Sequence, residues 1–382
     1  MKRISVIFIF LFCAGLSIAI FIFLSFKNDA IQNISKDEVQ KASPIPKENK
    51  VNEIIGFLPY WNLSGDYEVL PQNFTKIIYF GLAVDKNGDI LKRGPEWQMF
   101  NSKKFSSIKN DAQKSGTKII LALTNFDNAS INYLIQNTSA TENFIYQTES
   151  LIKENELDGI NFDFEYQQGT SIPSSSALSD FFKKVNSRLR IYYPSFSLSF
   201  DVSGRITEKK DFYDVRTLGD VFDFIILMGY DYRTAKSVWA GPAAPIDGEV
   251  NDHTIRESVE YFVNKVPFEK LVLGIPLYGY EWETLDARPK SSVVGKKGAV
   301  ATYKRILKLL SENASISSSW DEKARSPWFS YKENNVLKQV YYEDKKSIGE
   351  KINFVKETKL GGVAFWALGY EGNNSDIFNT LR

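Results

Sequence analysis

The chain has 382 residues, 43% of them apolar and 24% charged, and its formal net charge is +1. That length accommodates one large domain or two ordinary ones with a full core, and the near-neutral balance excludes a general affinity for nucleic acid or acidic lipid. A single cysteine (Cys13) and a single histidine (His253) exclude an intrachain disulfide and a His/Cys zinc site, and a Ser–His–Asp triad would need His253 in one particular place.

Catalysis in such a chain rests on carboxylates, tyrosines and tryptophans, and no metal or cofactor is called for. His253, in Asn251-Asp252-His253-Thr254, reads as a polar residue at a helix start. Nothing asks for a second subunit, so a monomer is expected.

In chain order, the first feature is Ile4–Phe26, an uncharged apolar run preceded by Lys2 and Arg3 and followed by Lys27. It is long enough to span a bilayer. It exceeds the apolar core of a cleaved signal and no small-x-small site follows it. Residues 1–27 are therefore expected to be a cytoplasmic tip and an uncleaved signal anchor, with the bulk of the chain outside the cytoplasm. A cleaved signal with secretion, or lipidation at Cys13, is the alternative. Residues 28–50 are polar, charged and proline-bearing, and read as a flexible linker.

From Val51 short apolar runs alternate with amphipathic helical stretches. Eight runs read as strands: 54–58, 76–81, 118–123, 159–164, 196–200, 222–228, 271–275 and 362–366. Strands buried on both faces and joined by helices make a parallel sheet. Eight such units predict a TIM-type (β/α)₈ barrel over residues 51–382. A doubly wound open sheet is the runner-up, but no glycine-rich phosphate loop follows the first strand. The gap before the last strand is too long for one helix. It predicts a small α+β insertion at about 282–343, with a helix over 301–310. A hairpin of Trp328–Tyr331 and Val336–Tyr342 turns at Glu333-Asn334-Asn335. A further helix, Lys345–Thr358, leads into strand eight.

The chemistry concentrates in Asp158-Gly159-Ile160-Asn161-Phe162-Asp163-Phe164-Glu165. Side chains alternate across a strand, so Asn161, Asp163 and Glu165 share one face and Ile160, Phe162 and Phe164 the other. The apolar set packs on the helices and the polar set points into the barrel. Glu165 comes last, at the C-terminal mouth where barrel active sites lie. Two carboxyls side by side do not both ionise easily, and a raised pKa is what a general acid needs.

This segment resembles the signature Asp-Gly-x-Asp-x-Asp-x-Glu of glycoside hydrolase family 18, the chitinase family, with Asn161 in place of one aspartate. Other stretches are similar: Ile55-Gly56-Phe57 to Trp61 (first strand), Met228-Gly229-Tyr230-Asp231 (sixth), Leu277-Tyr278-Gly279 (end of the seventh) and Trp366 (eighth). The resemblance covers essentially Val51–Arg382. It implies a β-N-acetylglucosaminidase acting on chitin or peptidoglycan glycan, with Glu165 as proton donor, and the N-terminal run adds the expectation that it is extracytoplasmic. The nucleophile is the substrate's own acetamido oxygen, the family being an exception to two-carboxylate chemistry. Asp163 orients the acetamido N–H and Tyr230 holds its oxygen. Asn161, Met228, Asp231, Tyr278 and Trp366 complete the sugar site, Trp366 as its floor, and Trp61 and Trp239 are candidate stacking rings. Trp97, Trp282, Tyr232 and Trp328 are further rings that sugars could stack on. With an amide at 161, Asp163 is expected to stay ionised through the cycle. Similar Asn-containing signatures belong to bacterial members that act on peptidoglycan. The competing class is a chitinase-like lectin that keeps the barrel without the acid; Glu165, Asp163 and Tyr230 together speak against it.

Overall fold

The computed structural model describes residues 51–167, 175–208, 212–295, 298–313 and 316–381. The expected anchor and linker lie outside them. Among the described residues no helix is long and apolar enough to cross a membrane.

Seven strands come first along the chain: β1 Glu53–Pro59, β2 Lys76–Ala83, β3 Lys118–Asn125, β4 Gly159–Phe164, β5 Ser197–Ser203, β6 Phe224–Met228 and β7 Leu271–Pro276. Five further strands follow, β8 Tyr278–Glu283, β9 Ala299–Thr302, β10 Ser319–Asp321, β11 Ser326–Glu333 and β12 Val336–Tyr341, and then β13 Gly362–Trp366. Strands β1 to β7 and β13 form a closed, all-parallel barrel, sealed where β13 pairs with both β7 and β1. The expected (β/α)₈ architecture is the one observed.

Helix starts follow the side chains that cap them. Ser102, Asp127, Asn137, Asp214, Thr254, Thr302 and Asp344 each accept a backbone N–H from the first turn of the helix they precede. Each cap is worth about 1 kcal/mol.

The main core fills the space between strands and helices. A second, smaller core lies inside the barrel and is built from Ile55, Phe57, Ile78, Ile120, Ala122, Ile226, Val272 and Ala364. Strands β4 and β5 break that apolar lining with buried polar residues: Asn161 and Asp163 on one, Ser197, Ser199 and Asp201 on the other. Buried polar groups are costly unless they bond to one another, so this sector is where the barrel departs from simple packing.

The insertion begins earlier than expected. Tyr278, read from sequence as the end of the seventh strand, is instead the first residue of β8, so the added sheet starts at Tyr278 and not at Trp282. Only Leu277 separates β7 from β8. The sheet has the order β10-β11-β12-β8-β9. Gly279 permits its pairing, since a Cβ there would lie 1.8 Å from the Tyr341 carbonyl oxygen. The hairpin turn falls where predicted. Asn334 and Asn335 both adopt left-handed backbone (φ 51° and 61°), which asparagine tolerates better than most residues. The buried ion pair Glu343–Lys351, at 2.7 Å, ties the end of the insertion to the helix Lys345–Thr358.

Just past β13, the Glu371 carboxylate accepts the Gly369 N–H at 2.8 Å. Burial pushes this carboxyl up to about 7. Its value in the unfolded chain is lower, so folding favours the protonated form. The resulting stability is fully present at acid pH and is lost as pH rises through about 7. Glu371→Gln keeps an acceptor for Gly369 and removes the titration. Between about pH 5 and about pH 9 the variant should gain up to about 3 kcal/mol on the wild type, read from denaturant midpoints. A difference that stays constant across that range would show that Glu371 does not titrate in this way.

Candidate active site

Strand β4 is set tightly against its neighbours. Gly159 makes this possible: a Cβ there would meet the Ser197 carbonyl oxygen and the Ile120 side chain at 2.4 Å each. Phe162 packs among Phe144, Phe182 and Phe222, on the helix side. Each such buried ring contributes roughly 1.5–3 kcal/mol, which anchors the alternation. Asn161 and Asp163 therefore turn inward, 0% and 3% exposed.

Glu165 follows the strand directly and is half-buried at its C-terminal end. Its N–H donates to the Asn125 carbonyl at 3.0 Å. Tyr213 clamps the same strand end. Its hydroxyl donates to the Phe164 carbonyl at 3.1 Å and accepts the Tyr166 N–H at 3.4 Å. Burial, then the Glu165 charge, pushes the Tyr213 hydroxyl far up, so it stays a neutral donor. Sequence reading missed Tyr213, whose partner lies 49 residues away.

The neighbouring strand supplies an unexpected carboxyl. Strand β5 runs to Ser203, beyond the Phe200 limit expected for it, and so includes Asp201. The Asn161 Nδ2 donates to Ser199 Oγ at 3.0 Å and to Asp201 Oδ1 at 2.7 Å. Its Oδ1 is buried without a partner among the described residues. Asn161, expected among the sugar-contacting residues, is thus wholly enclosed and spends its amide on β5. Burial raises the Asp201 carboxyl well above the usual aspartate range; the Asn161 bond opposes that shift and the Glu165 charge adds to it.

Met228 ends β6, and Tyr230 lies two residues beyond. Burial raises the Tyr230 hydroxyl strongly, and the charges of Asp201, Asp231, Asp163 and Glu165 all add to the effect. Tyr230 thus stands within electrostatic reach of every carboxyl in the constellation. Asp231 holds a left-handed backbone (φ 61°), a strained choice for a non-glycine residue. Its Oδ1 accepts the Tyr278 hydroxyl at 2.5 Å and the Tyr280 hydroxyl at 2.7 Å. Burial raises the Asp231 carboxyl and those two bonds oppose it. Both tyrosines belong to β8, so the insertion sheet braces the barrel mouth; Tyr280 was not foreseen.

Trp366, the last residue of β13, packs against Phe57, Phe80 and Trp61, with centroids 5.6, 4.7 and 6.2 Å away. Trp61, on the turn after β1, remains 41% exposed, and Trp239, in the loop after β6, is 50% exposed. Trp239 lines a cavity of about 390 Å³ together with Arg205, Arg233 and Asp247. Glu165 and Asp163 are not on that wall. Of the other rings, Trp282 and Tyr232 are buried and correct the expectation that they offer faces to a sugar. Trp282 donates Nε1–H to the Thr234 carbonyl, and the Tyr232 hydroxyl bonds Ser258. Trp97 stacks on Phe100, and Trp328 on Tyr341. His253 sits between Glu208 and Glu257 just before the helix Ile255–Glu260, as its sequence context suggested.

The family model for glycosyl hydrolases family 18 matches residues 53–371. An uncharacterized glycosylase of Bacillus subtilis, YvbX, is 27% identical over 296 residues, covering 76% of this chain and 80% of that protein. The cortical fragment-lytic enzyme of the same organism is 25% identical over 351 residues, covering 88% and 74%. Among solved structures, the group IV chitinase of Ostrinia furnacalis superposes with a TM-score of 0.77 at 20% identity. The match covers 86% of this chain and 97% of that one, a likeness of fold.

Proposed function

This chain belongs to glycosyl hydrolases family 18 and is a glycosidase, and from that premise we propose that it hydrolyses β-1,4-linked N-acetylglucosamine polymers by substrate-assisted, retaining catalysis. One observation carries the reading: the inward polar face of β4 ends in Glu165 at the barrel mouth, with Tyr230 in the field of the same carboxyls.

In this mechanism the sugar's acetamido oxygen attacks the anomeric carbon as the glycosidic bond breaks. Glu165 gives its proton to the leaving oxygen. Asp163 accepts the acetamido N–H and offsets the positive charge that develops there. Tyr230, kept protonated by its surroundings, donates its hydroxyl to the acetamido oxygen and fixes the attack geometry. Glu165, now a carboxylate, takes a proton from water as that water opens the oxazolinium ring, which restores the original configuration. Trp366 forms the floor, and Asp231, Tyr278 and Met228 line the sugar's other edge. Trp61 and Trp239 offer exposed faces for neighbouring sugars.

Chitin and the glycan of peptidoglycan are the two candidate polymers, and the similar proteins include a cortical fragment-lytic enzyme and a chitinase. The apolar run at 4–26 would hold the barrel outside the cytoplasm, which favours a wall polymer close to the membrane. The test is release of reducing ends from N-acetylglucosamine oligomers and from purified peptidoglycan, with fractionation of the producing cells. Hydrolysis of at least one polymer, by protein that stays with carbonate-washed membranes, is expected. Inactivity on both sinks the substrate class, and a shortened soluble form beginning near Lys27 replaces the anchor with a cleaved signal.

A further inference from the structure

The insertion sheet reaches the barrel mouth through one strand. Tyr278, Tyr280 and Trp282 alternate along β8 and join one buried cluster with Ala240 and Ala243 of the loop after β6. Trp282 Nε1–H bonds that loop at the Thr234 carbonyl, 3.1 Å away. The Tyr278 and Tyr280 hydroxyls bond it at Asp231, and both donate to the same oxygen, Oδ1, at 2.5 and 2.7 Å. Tyr280 is itself fixed from both sides, paired with Tyr341 of β12 and Val300 of β9. Gly279, pressed on the Tyr341 carbonyl, leaves β8 no room to slide, because a residue with a Cβ cannot take its place.

Resting on the proposed function above, we infer that Tyr280 is a positioning residue of the active site: sharing Asp231 Oδ1 with Tyr278, it fixes the carboxylate so that Oδ2 is left to accept from a sugar hydroxyl. An ionised carboxylate oxygen offers about two lone-pair directions. The two tyrosines occupy both of them on Oδ1, while among the described residues Oδ2 takes no hydrogen bond. One donor alone would let the carboxylate turn about its Cβ–Cγ bond and present either oxygen. Two donors, held two residues apart on one strand, do not allow that turn. Both donors are neutral hydroxyls, since burial, then the Asp231 charge, raises each of them. Tyr230 and Tyr370, the other titrating groups in the Asp231 field, are neutral as well. No cation among the described residues cancels the Asp231 charge, so it remains to strengthen the hydrogen bond that Oδ2 accepts.

The experiment measures kcat and KM on a chromogenic chitobioside at neutral pH for the wild type, Tyr280→Phe, Asp231→Asn and the two changes combined. Tyr280→Phe keeps the ring beside Tyr278 and Trp282 and removes the hydroxyl. The sugar hydroxyl on Oδ2 takes no part in bond breaking, so its hydrogen bond is made alike in the bound sugar and in the transition state. Loosening that bond therefore raises KM and leaves kcat. A hydrogen bond to a charged group is at stake, and KM is expected to rise about tenfold. Asp231→Asn should raise it at least as far. Tyr280→Phe should then add about twofold or less, because it acts through that carboxylate. Tyr331→Phe is the control: its hydroxyl donates to Glu281 in the same sheet at 2.9 Å, and its kinetics should be those of the wild type. A wild-type KM in Tyr280→Phe overturns the inference. So do effects that multiply in full in the double variant, or a KM raised equally by Tyr331→Phe. If Tyr280→Phe does not fold, Asp231→Asn decides: an unchanged KM overturns the inference, and a raised KM with kcat retained supports it. An inactive wild type would instead remove the functional reading on which the inference rests, so the two failures are distinguishable.

Discussion

Glu165→Gln is expected to abolish hydrolysis while oligosaccharide still binds. The amide keeps the shape of the carboxyl and loses the proton proposed to reach a leaving oxygen at the mouth of β4. Loss of a positioned general acid costs about 10²–10⁴-fold in rate. The fold should tolerate the change, because Glu165 reaches β3 through its backbone N–H to Asn125, which the substitution leaves alone. Single-turnover rates and calorimetric binding of a tetrasaccharide separate the two effects. Turnover near that of the wild type would remove Glu165 from the role of acid.

The second large effect lies in the substrate. An oligosaccharide lacking the 2-acetamido group should not be cleaved at a measurable rate, because the proposed nucleophile is then missing. A neighbouring group held in attack geometry has an effective molarity of about 10⁵ M or more, and water in the same cleft does not replace it. A thiazoline copy of the cyclised sugar should bind far more tightly than the substrate, as a mimic of the state that the site stabilises. Tyr230→Phe should weaken that inhibitor, since the hydroxyl proposed to hold the acetamido oxygen is gone. Mass spectrometry after rapid quenching supplies the opposite outcome: a sugar covalently attached to Glu165 or Asp163 would replace substrate assistance with two-carboxylate chemistry.

The barrel was legible because its signals are local. Each strand run is buried on both faces, and most of the described helices start at a capping side chain, as at Asp127 or Asp344. The alternation in 159–165 placed Asn161 and Asp163 inward before any contact was known. The same alternation was present in Ser197, Ser199 and Asp201. It was missed because the fifth strand was ended at Phe200, where the apolar signal fades. The start of the insertion was misread for a related reason. Tyr278 follows β7 after a single residue, and an apolar-rich run does not show where the chain leaves one sheet for another.

By itself, then, the sequence determined the eight barrel strands, the polar face of β4, the position of Glu165 at the strand end and the family resemblance. These follow from residue spacing along one segment, which burial and backbone geometry convert directly into a facing direction. Tertiary structure alone decided which groups meet across segments. It set Asp201 against Asn161, brought Tyr278 and Tyr280 to Asp231, clamped the end of β4 with Tyr213, and grouped Trp61 with Trp366. Those pairings depend on inter-strand register and on closure of the barrel. Register is the collective result of packing every strand at once, and no single stretch of sequence carries it.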